Sequence, residues 1–251
     1  MIRLFVHTAA PQEAPWQAGA LLELPSEAAR HAQVRRVQPG DALHIFNGQG
    51  VEFVATVTAM GRRDVQVQLI ERVAVECELP WSVTLAVGMP ANERMDTLVE
   101  KATELGVAAI QPLQCERSVL KLDADRAQKK VQHWQAVAVA ASEQCGRAVV
   151  PQVRPVCSIK DWWTLLPSEP ANETTRWVLS LDAQAPAPKR PVLQERARPA
   201  VWTLSGPEGG LTPDEEQMAV QAGFSRVHLG PRVLRADTAP LAVLAWLGMG
   251  H

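Results

Sequence analysis

The sequence predicts an α/β protein in two parts, a small β-barrel over residues 1–76 and a larger domain with a mostly parallel sheet over 77–251. Three observations carry that reading. From Val51 to Val73, "VEFVATVTAMGRRDVQVQLIERV" alternates apolar and polar residues, most clearly at Val65, Val67 and Leu69 against Gln66 and Gln68, which is the period of a half-buried strand. After "ECELPW" at 76–81 the pattern changes to strands alternating with longer helices, as crossover units require. Two glycine-bearing loops, "LSGPEGGLTPDEE" at 204–216 and "LGPRVLRADTAP" at 229–240, each lie between a strand and a helix.

In chain order, "RLFV" at 3–6 and "ALHIF" at 42–46 read as strands, with one short helix from about Ser26 to Arg35 between them. "NGQG" at 47–50 and "GRRD" at 61–64 read as hairpin turns, so the barrel is expected to be antiparallel. "VTLAVG" at 83–88 is the first strand of the second domain. Met95, Leu98, Val99, Ala102 and Leu105 then share one helical face that Gly106 ends. "AAIQPLQ" is a strand, Asp125 to Gln144 a long helix and "RWVLSLD" at 176–182 a strand. The Pro- and Ala-rich "AQAPAPKRPVLQERARPA" is an exposed connection. "AVWTLS" and "GFSRVHLG" supply two more strands, and "TAPLAVLAWLG" a terminal helix, apolar nearly all round, suited to an interface or an inner core. Trp162 and Trp163 in "DWWTLL" fall at helical spacing with Leu165 and Leu166 and read as packing residues.

Composition narrows the function classes. With 47% apolar and 21% charged residues, the 251-residue chain buries a core. A formal charge of −2 gives no global attraction to polyanions, so RNA binding has to come from local patches. Cys77, Cys115, Cys145 and Cys157 lack C-x-x-C spacing and nearby histidines, which supports neither a metal nor a redox centre. Reduced core thiols are expected. "PLAVLAWLG" falls well short of the ~20 residues that span a bilayer, and a cytoplasmic protein without membrane anchoring is expected.

Within the glycine loop, Thr212 and Glu215 form a T-x-x-E capping box with Pro213 at the first helical position. Gly206, Gly209 and Gly210 therefore sit just ahead of unpaired helix N–H groups, where glycine lets a ligand approach the main chain. One such turn alone is equally a ligand-free strand-to-helix connection. The second loop, with Gly230, Pro231, Arg232, Arg235, Asp237 and Thr238, suggests one shared pocket at neighbouring strand ends. The P-loop lysine and G-x-G-x-x-G are both absent, and Glu208 would repel phosphate while accepting hydrogen bonds from hydroxyls or an N–H. A cationic or hydroxyl-rich ligand fits better than a nucleotide polyphosphate.

"GPEGGLTPDE" followed by "LGPRVLRADTA", with upstream "EKATELGV", "ERSV" and "EQCGR", resembles the RsmE family of 16S ribosomal RNA uridine N3-methyltransferases, of the SPOUT class. The resemblance runs from "MIRLFV" to the terminal helix. It implies a PUA-like RNA-binding barrel, then an α/β domain with a deep trefoil knot, a homodimer, S-adenosylmethionine as cofactor, and methyl transfer to N3 of one uridine of the small ribosomal subunit. Two rivals share some of these motifs. A SPOUT enzyme acting on transfer RNA or ribosomal protein has similar cofactor loops, and a non-enzymatic RNA platform needs only the barrel; "ERSV" and "EQCGR" favour the ribosomal substrate.

By matching motif, the resemblance implies cofactor contacts at Leu179 and Leu181, at Ser205, Gly206, Pro207, Glu208, Gly209 and Gly210, and at Leu229, Gly230, Val233, Leu234, Arg235, Thr238 and Ala239. Leu229, Val233 and Leu234 would form an apolar wall. Glu208 and Arg235 are the catalytic candidates, the first as a base or cofactor anchor, the second as stabiliser of the uracil anion or as a salt-bridge partner of Asp237. The family more often has glutamate where this chain has Asp237, which is also placed to cap the terminal helix. RNA contacts are expected from Arg3, Arg30, Arg35, Arg36, Arg62 and Arg63 on the barrel, and from Arg117 and Arg147.

Overall fold

The computed structural model describes residues 1–7, 16–62, 64–91, 93–166, 174–193 and 198–249. They fall into two units: Met1–Glu78 with Val139–Val150, and Leu79–Ala138 with Pro151–His251. A linear cut near 76 cannot show that 139–150 group with the first unit, because that grouping is made by contacts distant in sequence.

The first unit contains β1 (Arg3–Phe5), β2 (Leu21–Glu23), α1 (Ser26–Val34), β3 (Ala42–Phe46), β4 (Glu52–Met60) and β5 (Val65–Val73). They form one sheet in the order β1-β3-β4-β5-β2. Alternation does its work here: Ala55 and Val57 of β4 pair with Leu69 and Val67 of β5, and all four are buried. Ala28, Ala29 and Ala32 turn the small-residue face of α1 onto this core. The expectation of an antiparallel barrel needs one correction. β1 runs parallel to β3, with Leu4 opposite Ile45, because β2 and α1 intervene and make a connection long enough to return the chain in the same sense.

A buried ionic network ties residues 139–150 into this unit. The Arg3 guanidinium donates to Glu52 Oε2 at 2.6 Å and to the carbonyls of Ser142 (2.6 Å), Glu143 (3.2 Å) and Arg147 (3.1 Å). Arg147, 2% exposed, grips Glu78 with Nε and Nη2 at 2.9 and 2.6 Å. Both arginines were expected to contact RNA, and that expectation is corrected: a guanidinium already committed to internal carboxylates and carbonyls has little left to offer a phosphate. Arg30, Arg35, Arg36 and Arg62 are exposed, whereas Arg63 lies outside the described residues.

The second unit contains β6 (Ser82–Gly88), α2 (Arg94–Glu104), β7 (Ala109–Gln114), β8 (Gln152–Val153), β9 (Cys157–Ser158), α4 (Ile159–Leu165), β10 (Thr174–Leu179), β11 (Ala200–Ser205), α5 (Pro213–Gln221), β12 (Ser225–Val227) and α6 (Thr238–Gly248), while α3 (Ala124–Cys145) has residues in both units. The strand order is β12-β10-β11-β6-β7-β8, every pairing is parallel, and β9 also pairs with β7. β6 and β11 are buried on both faces, as central parallel strands are. Met95, Leu98, Val99 and Ala102 form the buried face of α2, and Leu105 is its half-buried C-cap residue. α6 buries Pro240, Val243, Leu244 and Leu247 and packs on α2, β6 and β11. Trp162 is fully buried against Trp202 and Phe224, as its spacing predicts, but Leu165 is 66% exposed.

Two expected strands are shorter in the structure. β10 ends at Leu179, because Ser180 Oγ accepts the N–H of Asp182 and Asp182 Oδ1 that of Gln184, which turns the chain. β12 is confined to Ser225–Val227 between Gly223 and Gly230, both at positive φ (87° and 99°).

Candidate functional site

Strand order places the site. β12, β10 and β11 are adjacent and parallel, so the loops leaving their carboxyl ends emerge side by side. The chain enters at β10, moves inward to β11 and then outward past β10 to β12, and such a reversal leaves a crevice at the strand ends. The three loops line a single cleft of about 700 Å³.

The middle loop begins at Ser205, the last residue of β11. A Cβ on Gly206 would lie 2.6 Å from the main-chain nitrogen of Leu211, so only glycine fits. Gly210 adopts φ 69° and donates its N–H to the carbonyl of Pro207 at 2.8 Å. The predicted capping box is present: Glu215 N–H donates to Thr212 Oγ1 (3.2 Å) and Thr212 N–H to Glu215 Oε2 (2.9 Å). The other oxygen of Glu215 accepts the N–H of Glu116 at 2.8 Å. Arg117, the next residue, donates from Nη1 to the carbonyls of Gly209 (3.1 Å) and Leu211 (3.3 Å). The turn after β7 thus braces the glycine loop.

Of the residues assigned to the ligand by motif, Leu179, Leu181, Ser205 to Gly210, Leu229, Gly230, Val233, Leu234, Arg235 and Ala239 all line the cleft, whereas Thr238, the first residue of α6, does not. Sequence reasoning missed Arg94, Asp182, Glu216 and His228, which also line it. Arg94 follows β6, the neighbour of β11, and strand adjacency was the signal that could have found it.

The two catalytic candidates differ in their surroundings. Glu208 Oε1 accepts the N–H of Ala91 at 2.9 Å and faces Arg94 Nη1 at 3.4 Å, so the carboxylate joins two loops. Arg235 is exposed and makes no ion pair among the described residues. The Arg235–Asp237 salt bridge is therefore not formed, and Asp237 does not cap α6: its backbone is helical (φ −80°, ψ −32°) and Oδ1 is buried with no hydrogen-bond partner among the described residues.

Ser205, the last residue of β11, lines the cleft. The residue is 4% exposed, and Oγ has no hydrogen-bond partner among the described residues. Such a group costs roughly 1–3 kcal/mol when left unpaired, so a ligand polar group is its natural complement. Cys115 lies behind the loop with its thiol pushed up to about 12 by burial and then by the charge of Glu215, which leaves it inert. Among the described residues no cluster of His, Cys, Asp and Glu could hold a metal ion, and no helix is long and apolar enough to cross a membrane.

Comparison with known proteins agrees with this geometry. The family described as RNA methyltransferase domain matches residues 77–248, and RNA methyltransferase PUA domain matches 24–70. Ribosomal RNA small subunit methyltransferase E of Synechocystis sp. is 32% identical over 85% of this chain and 67% of its own length. The protein of that name from Bacillus subtilis is 31% identical over 84% and 83%. A crystal structure of ribosomal RNA small subunit methyltransferase E from Neisseria gonorrhoeae bound to S-adenosyl methionine superposes with a TM-score of 0.85 at 32% identity, covering 98% of this chain and 96% of that one.

Proposed function

Since the chain belongs to the ribosomal RNA small subunit methyltransferase E family, a group of RNA methyltransferases, we propose that it methylates N3 of a specific uridine in 16S ribosomal RNA, with S-adenosylmethionine as donor. One observation carries the assignment of the site: three loops at neighbouring strand ends line a single cleft that holds a buried, unpartnered Ser205 hydroxyl. When bound, the donor supplies an electrophilic methyl group. Main-chain groups of 205–210 and 229–239 would hold its polar atoms, and Leu229, Val233 and Leu234 would give an apolar wall.

Methylation at N3 requires loss of its imide proton, which passes to solvent, so negative charge develops on the uracil ring until the methyl group is taken up. Arg235, exposed at the cleft and free of any ion pair among the described residues, is the group that stabilises this charge. Glu208 acts as a latch: with Oε1 engaged by Ala91 N–H and Arg94, it fixes the glycine loop rather than collecting the proton.

Arg30, Arg35, Arg36 and Arg62 of the first unit supply the exposed cations for docking RNA phosphates, in agreement with the match to RNA methyltransferase PUA domains. The proposal includes a homodimer, as the family resemblance implies. It includes the deep trefoil knot that the family resemblance implies. It also includes a cytoplasmic location, where the small subunit is found.

The test is methyl transfer from labelled S-adenosylmethionine to unmethylated small subunits and to naked 16S RNA, followed by nucleoside analysis. The expected product is 3-methyluridine at one position. Incorporation into another nucleoside, or none into either substrate, would overturn the assignment.

A further inference from the structure

Arg117 is both a brace of the glycine loop and a cation open to the cleft. Nη1 donates to the carbonyls of Gly209 and Leu211, and a Cβ on Gly209 would come within 2.9 Å of Arg117 Cβ, so the side chain lies flat on the loop. Its own backbone is fixed from both sides. Glu116 N–H is held by buried Glu215, while Ser118 Oγ accepts the N–H of Cys115 at 3.0 Å. Arg117 nevertheless lines the cleft as an exposed residue, and Nε and Nη2 bond to no other described residue. A guanidinium holds its donors in a rigid plane, so a group bonded to one edge fixes the direction of the others.

We propose that Arg117 is a positioning residue that couples RNA to cofactor, by binding a backbone phosphate of the target strand through Nε and Nη2 while Nη1 holds the carbonyls of Gly209 and Leu211. The inference rests on the methyltransferase reading and adds a property to it. A phosphate drawn to the open edge restrains the guanidinium, and with it the two carbonyls of the loop proposed to hold the cofactor. The loop is then ordered once for both ligands, so each binds more tightly in the presence of the other. Reciprocity follows from linkage, and couplings of this kind span roughly 5–150-fold.

The experiment measures the affinity of S-adenosylhomocysteine by titration, with and without saturating unmethylated small subunits, for wild type, Arg117→Lys and Arg117→Gln. Thermal melts of each variant establish that it is folded. Wild type is expected to bind S-adenosylhomocysteine at least about fivefold more tightly on the subunit. Arg117→Gln should reduce that ratio to near one and lower the slope of log affinity for the subunit against log salt by about 1. Arg117→Lys, which keeps the charge without the planar fork, should retain the salt slope and lose the coupling. A coupling ratio that survives in both variants, or a ratio of one in wild type, would overturn the inference and leave the methyltransferase reading intact. Wild-type protein with no affinity for S-adenosylhomocysteine would instead remove that reading and the coupling with it.

Discussion

Glu208 Oε1 accepts the main-chain N–H of Ala91 at 2.9 Å, which joins the glycine loop to the segment leading from β6 into α2. The residue at the heart of the most specific motif therefore already has a structural use. Glu208→Gln keeps an oxygen for Ala91 and gives up the charge facing Arg94, so turnover should fall less than about tenfold, in line with the loss of one partly exposed charged contact. Glu208→Ala should weaken S-adenosylhomocysteine binding more than Glu208→Gln does. Single-turnover rates with saturating cofactor decide: a loss of 10³-fold or more in Glu208→Gln at unchanged cofactor affinity, on the order of removing a general base, would restore the base role.

Gly206 offers a sharper test of the cleft. An alanine there brings Cβ to 2.6 Å of Leu211 N and 2.7 Å of the Gly210 carbonyl carbon, both main-chain atoms that cannot swing away. The loop must open to admit it. Gly206→Ala is expected to cost about 1–3 kcal/mol, the usual range for overpacking, and to weaken S-adenosylhomocysteine binding at least tenfold by calorimetry. Undiminished affinity in a folded variant would mean that the ligand does not use this loop.

Two carboxylates of the first unit, Glu52 buried and Glu143 half-buried, should respond to pH in opposite directions. Burial pushes Glu52 up, but hydrogen bonds from Arg3 and His44, with their charges, outweigh it and hold the carboxyl below its ordinary range. Its stabilisation is therefore present above the unfolded-state value and lost as pH falls through the folded one. Burial is the main effect on Glu143 and raises it, against the Phe5 N–H and the charges of His31 and Arg3, so its contribution is present at low pH and lost as pH rises. Glu52→Gln should cost about 3 kcal/mol at pH 7, and the deficit should shrink below about pH 4. Glu143→Gln should gain on wild type as pH rises through and above the ordinary carboxylate range. Denaturant titrations across that range check both slopes, and parallel profiles for the two variants would contradict the assignment.

Local signals carried much of the architecture. Alternation at Val65, Val67 and Leu69 marked β5, the 3.6-residue face of Met95, Leu98, Val99 and Ala102 marked α2, and Thr212 with Glu215 marked the start of α5, because each is dictated by neighbours in sequence. Features set by distant contacts were hidden. The parallel β1–β3 pairing, the short β2, and the grouping of 139–150 with the first unit depend on residues tens of positions away. The site followed the same division: glycine loops were visible as motifs, but the roles of Arg3, Arg147 and Arg117 depended on which carbonyl or carboxylate the fold brought within 3.5 Å. An arginine reads alike in sequence whether it will face solvent or an ion pair.

That ambiguity gives the last prediction its form, a contrast between two arginines that composition alone treats as equivalent. Arg147 is 2% exposed and bonded twice to Glu78, so Arg147→Gln strips a largely buried carboxylate of its partner and should destabilise the protein by about 3–5 kcal/mol. Arg35 is exposed, and its side-chain hydrogen bond among the described residues, to His31 at 3.5 Å, is too long to matter, so Arg35→Gln should leave stability within about 0.5 kcal/mol. On small subunits the order reverses. Arg35→Gln should lower the salt slope of binding by about 1 if that residue meets a phosphate, whereas Arg147→Gln, measured where it remains folded, should leave the slope at its wild-type value. A reduced slope in Arg147→Gln with unimpaired stability would return Arg147 to the RNA face and withdraw the buried ion pair as its explanation.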